Sequence, residues 1–167
     1  MKKMLIKTTQ CSTFIQSIVD RILALPSNGF LRVAIDGVDG AGKTTFPEEL
    51  VHLRGLNGRP IIRASVDSFH NPRSIRYRQG KNSSDGFYHD SYNYSGLMDV
   101  LLSPLAPSGS NKYRTATFEH TTDSEVIDSE LKAPLGSILV FDGILLHHPE
   151  LRGCWDFSIF LKVALSV

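Results

Sequence analysis

Between residues 12 and 25 apolar side chains recur every three or four positions. Phe14, Ile15, Ile18, Val19, Ile22 and Leu23 share one face, which predicts an amphipathic helix. Thr13 followed by Gln16 reads as its capping box, and the run from Pro26 to Gly29 as its stop. Residues 31–35 are a short, branched-rich run without alternation that ends at Asp36-Gly37. That pattern predicts a strand covered on both faces, as in a parallel sheet. A second helix is expected over 43–56, with Phe46, Leu50 and Leu53 on one side, Asn57-Gly58 as terminator and Pro47 bending its first turns. Residues 61–66 read as another strand, ending at Asp67.

Residues 71–90 are polar and show no period, so surface loops around short turns are expected there. A helix is expected over 90–102, with Tyr94, Leu97, Met98 and Leu101 on one face and Pro104 beyond its end. A linker follows over 105–111, and 112–118 with 121–126 suggests a small hairpin. Residues 138–141 form a buried strand ending again in Asp-Gly, and 157–163 a last strand.

Strands interleaved with helices, each strand ending in a polar residue or glycine, predict a three-layer α/β fold with a mostly parallel sheet. The 167 residues suit a single domain, with an N-terminal helix over 12–25 and a core over 30–167. A strand followed at once by the end of the sequence suggests truncation and leaves an edge that favours a homo-oligomer. The net charge of +1 and the lack of basic runs give no sign of a nucleic-acid or membrane partner. Cys11 and Cys154 have no metal-ligand spacing and read as small hydrophobes. His147 and His148 likewise lack a ligand pattern and are expected at the surface or in a turn. No signal-peptide pattern follows Met1, which makes the cytoplasm the expected compartment.

The chemistry is concentrated in Gly37-Val38-Asp39-Gly40-Ala41-Gly42-Lys43-Thr44, a complete eight-position phosphate loop between an expected strand and helix. Glycines let backbone N–H groups wrap a polyanion, and the following helix adds its positive end. Lys43 suits the β and γ phosphates, the Thr44 hydroxyl suits Mg2+, and Thr45 suits the α phosphate. Asp142, at the carboxyl end of its strand, is a second candidate for Mg2+. Asp67 ends a neighbouring strand on the same sheet edge and is the candidate base for an acceptor hydroxyl.

Together with Val66-Asp67-Ser68-Phe69-His70 and Val140-Phe141-Asp142-Gly143-Ile144, this loop resembles the uridine kinase and phosphoribulokinase family of P-loop kinases. The resemblance implies a P-loop NTPase fold and transfer of the γ-phosphoryl group of ATP to a hydroxyl of a small metabolite, a nucleoside such as uridine foremost. Pantothenate or a sugar phosphate is an alternative acceptor, and nucleotide binding without catalysis is another reading. It further implies that Asp67 binds the acceptor, that His70 stands where members often carry Tyr, and that Tyr113 and His120 correspond to pyrimidine-contacting residues. Arg76 and Tyr88 are further candidates for the acceptor side. The family's arginine-bearing lid has no counterpart before Val167, so low turnover is expected of this form.

Overall fold

A computed structural model describes residues 2–26, 29–38, 46 and 56–162, with side chains described from residue 13 onward. The first helix, α1 (Lys2–Leu23), begins well before the expected capping box at Thr13. Residues 2–12 contain neither Gly nor Pro, so nothing in the backbone stops the helix from continuing through Thr13. Its face bearing Ile15, Ile18, Val19 and Ile22 is buried, as the periodicity predicts, whereas Phe14, expected on the same face, is exposed.

Among the described residues, four strands form a parallel sheet: β1 (Leu31–Gly37), β2 (Ile61–Ser65), β7 (Ile138–Gly143) and β8 (Phe157–Leu161). The spatial order is β2-β7-β1-β8. Such an order requires crossovers over the sheet faces, and both faces are indeed covered. On one face α1 packs with Leu31, Val33, Ile35, Ile138 and Val140, and Leu56 joins them. On the other, Ala34, Leu139 and Phe141 meet Phe69, Leu97, Leu101, Leu102 and Trp155. Phe141 is fully buried and stacks on Trp155 at 5.5 Å between ring centroids. The expected helix over 43–56 and its Pro47 lie almost wholly outside the described residues. Asn57 and Gly58, expected to end it, both take positive φ, 53° and 73°.

The segment expected to be loops contains two short helices, α2 (Arg73–Arg76) and α3 (Ser84–Asp90). Two turns are too short for a hydrophobic period to emerge. What holds α3 is polar: Ser83 Oγ accepts from the Gly86 N–H at 3.0 Å, and the Asp90 carboxylate at its far end is gripped by Arg78 and Gln79. The helix expected over 90–102 therefore starts later. It forms as α4 (Tyr94–Leu97), capped by Asn93 Oδ1, and widens into a π turn over Met98–Leu102. The expected hairpin forms only at its inner end, where Val126 N–H also donates to the Thr117 carbonyl at 2.9 Å. β4 (Phe118–Glu119) joins β5 (Ser124–Glu125), whereas β3 (Lys112–Tyr113) joins β6 (Leu131–Lys132).

Register sets the site. Asp142 lies opposite Ser65 of β2 and Ile35 of β1, so the carboxyl ends of the three strands finish level. Gly143 seals that edge, since a Cβ there would lie 2.4 Å from Val66 Cγ1 and 2.8 Å from Val66 Cβ. Gly143→Ala is expected to cost about 1–3 kcal/mol through forced separation of β7 from the turn after β2. Chemical denaturation of the two proteins checks this, and equal midpoints would contradict it.

Candidate active site

Of the phosphate loop, Gly37 closes β1 and Val38 follows it, while Asp39, Gly40, Ala41, Gly42, Lys43, Thr44 and Thr45 lie outside the described residues. Strand β1 thus delivers the loop to the carboxyl edge of the sheet, where ligands of open parallel sheets bind.

Asp67 lies on the same edge, in a single 3-10 turn (Val66–Phe69) that continues β2. Its carboxylate side is exposed, and its N–H is turned toward Ser65 Oγ at 3.4 Å. Asp142 is largely buried and has the Arg63 guanidinium at 3.6 Å. Burial pushes its carboxyl pKa up, the Ser65 hydroxyl and the Arg63 charge pull it down, and the negative charge of Asp67 pushes it up again. The two acids therefore stand within electrostatic reach of each other beside the start of the phosphate loop.

A carboxylate strained in this way by burial and a like charge is relieved by a divalent cation, so the donor set fits Mg2+. Among the described residues no group of three or more His, Cys, Asp or Glu is placed to hold a metal. Mg2+ suits such a site, because it is commonly held by one or two protein groups together with nucleotide phosphates.

His70 ends the 3-10 turn. Its Nδ1 donates to the Asp67 carbonyl at 2.8 Å, and its ring rests against Tyr92 at 4.6 Å and His120 at 4.8 Å. Burial pushes its pKa down, ahead of the opposing pull from Asp67, which favours a neutral ring at neutral pH. A small cavity of about 120 Å³ opens beside it, with Arg76, Lys81 and Ser83 in its walls.

The three arginines around α2 are not an open cluster. Arg73 donates to the Thr121 carbonyl, Arg76 lies 3.5 Å from Asp123, and Arg78 forks onto Asp90, holding that carboxyl below its usual range. They tie the segment to its neighbours, and Arg76 also lines the small cavity beside His70.

Tyr88 lines a larger cavity of about 490 Å³, which also takes in Gly37 and Val38. His120 is brought to His70, but Tyr113 is not brought to this group: it is buried in the core beneath the π turn, and burial pushes its pKa up. His147 and His148 do lie in a turn, yet His148 is buried, stacked on Tyr94 at 4.6 Å. His147 is paired with the buried Asp36. Neither Asp36 nor His147 stood out as a site candidate in the sequence. The available signal was a carboxylate inside an otherwise apolar strand, which demands a partner. Cys154 is a buried free thiol packed near Met98.

A parallel sheet that carries a phosphate-loop sequence and two acids at one edge defines a P-loop, nucleotide-binding kinase fold. The model of the Phosphoribulokinase / Uridine kinase family matches residues 33–167, and the chain belongs to that family. Its members are ATP-using kinases of small molecules. Among solved structures, the chain resembles that of a possible uridine kinase from Bacillus stearothermophilus, with TM-score 0.75 and 24% identity over 90% of this chain and 80% of that one. It also resembles that of a proposed fructose transport system kinase from Silicibacter sp., with TM-score 0.69 and 21% identity over 92% and 74% of the two chains. These likenesses bear on the fold. No curated protein matches the chain. No helix among the described residues is long and apolar enough to cross a membrane.

Proposed function

We propose that the protein transfers the γ-phosphoryl group of ATP to a hydroxyl of a small metabolite, with uridine the leading acceptor. The observation that carries this reading is the placement of Asp67 and Asp142 on one sheet edge, close enough to repel, where the phosphate-loop sequence begins. Two carboxylates so placed divide the work. Asp142, largely buried, joins the Thr44 hydroxyl in holding Mg2+, which when bound neutralises phosphate charge and aligns the nucleotide. Asp67, exposed and free to meet an incoming hydroxyl, accepts its proton. Lys43 and the backbone of residues 37–44 cradle the phosphates. His70, His120 and Tyr88 form the acceptor's surroundings, and Arg76 reaches its margin.

The small cavity with Arg76 and Lys81 favours a second reading, in which the acceptor carries an anionic group such as a sugar phosphate. Acceptor-dependent ADP release, measured across uridine, cytidine, pantothenate and pentose phosphates, separates the two. Release that rises with uridine supports the first reading, and release only with an anionic acceptor supports the second. Release independent of every acceptor contradicts both.

A further inference from the structure

We infer that Asp36 and His147 together form a specificity element, which selects an uncharged, hydrogen-bond-donating part of the acceptor in the larger cavity. The inference deepens the proposed function and rests on its reading that the acceptor lies against this edge of the sheet. Asp36 is the next-to-last residue of β1, only 5% exposed, immediately before the phosphate loop. Its Oδ1 accepts from the Gly37 N–H at 2.7 Å, and its Oδ2 lies 2.8 Å from His147 Nδ1. An ionised carboxylate has only lone pairs to offer, so the facing Nδ1 carries the proton. With the ring neutral, that fixes the tautomer and leaves Nε2 with a lone pair, on a side chain that is 44% exposed and lines the cavity.

The remainder of the wall is mostly apolar, with Phe87, Ile144, Leu145 and Phe160 among its residues. A ligand there must present an apolar or planar body and one O–H or N–H for Nε2. Charge points the same way. The Asp36–His147 pair has a net charge of −1 with the imidazole neutral and zero with it protonated. Neither state attracts a phosphate or carboxylate, and the neutral-imidazole state repels one. Phe87 lines both cavities, so the small basic cavity and this mostly apolar one meet at a shared wall. A ligand filling the larger space keeps any anion on the far side of Phe87.

Asp36→Asn is the informative variant. Its amide still offers an oxygen to the Gly37 N–H, but its NH2 donates to Nδ1 and moves the ring proton to Nε2. The cavity then presents a donor in place of an acceptor. With the full chain, the uridine KM of Asp36→Asn and of His147→Ala is expected to rise roughly 10-fold or more, the effect of an unmatched buried polar group. The ATP KM should move less than about twofold, since in Asp36→Asn the amide oxygen still accepts from the Gly37 N–H at the start of the phosphate loop and His147 does not touch that bond. Ring 15N signals of His147 should report Nδ1–H in the free protein, Nε2–H in Asp36→Asn, and a shift of Nε2 when uridine is added. Unchanged uridine KM in both variants overturns the inference, as does wild-type preference for a pentose phosphate over uridine. The NMR titration keeps the two proposals apart. A uridine-dependent Nε2 shift without phosphoryl transfer sinks the proposed function and leaves this element standing. Transfer to uridine with no Nε2 shift sinks this element alone.

Discussion

Replacing Asp67 with Asn is expected to lower kcat by roughly 10²–10⁴-fold, the range for loss of a positioned general base. The affinity for Mg-ATP should stay within about twofold. The side chain is exposed, and the backbone of its turn is set by Ser65, by the His70 ring on its carbonyl and by buried Val66 and Phe69. An isosteric amide therefore leaves the fold in place while it cannot accept a proton. A second consequence follows from electrostatics. Asp67 is one of the charges that raise the Asp142 pKa, so its removal should move Asp142 toward the ordinary carboxylate range. The acid limb of any residual activity that reflects Asp142 should shift to lower pH. Steady-state kinetics of the two proteins checks both points, and a full retained rate excludes Asp67 as the base.

Lys43→Ala is the second large effect. In the phosphate-loop pattern the Lys43 ammonium is the group that reaches the β and γ phosphates. Its loss removes about two charge-assisted hydrogen bonds at about 1.5 kcal/mol each, or roughly 100-fold in Mg-ATP affinity. The other phosphate contacts expected of the pattern, its backbone amides and the end of the expected helix, do not need that side chain, so weak binding should persist. Calorimetric titration of both proteins measures the difference, and equal affinities contradict the assignment of the loop.

The frame of the fold could be read in advance because its signals are local. The runs over 31–35, 61–66 and 138–141 are rich in apolar residues and lead into Asp, and each supplies a parallel strand, β2 ending at Ser65. The acids that close two of them, Asp67 and Asp142, meet at one edge because strand register carries them there. What local patterns missed depends on long-range partners. Helix α3 has no apolar period and exists through the Ser83 cap and the Arg78–Asp90 fork. β3 pairs with β6 across an intervening hairpin, so proximity in sequence suggested the wrong partner. Tyr113 looked like a site residue by resemblance, whereas its short strand turns it into the core. His147 looked inert because its partner Asp36 is more than a hundred residues away.

The most direct test is to incubate the protein with γ-labelled ATP, Mg2+ and uridine and to follow the label. It is expected on the 5′-hydroxyl of uridine, in step with ADP, and Asp67→Asn should slow its appearance roughly 10²–10⁴-fold. Label recovered only as inorganic phosphate, at the same rate with and without uridine, cytidine, pantothenate or pentose phosphates, would contradict the claim that this sheet edge carries phosphoryl transfer to a small hydroxyl.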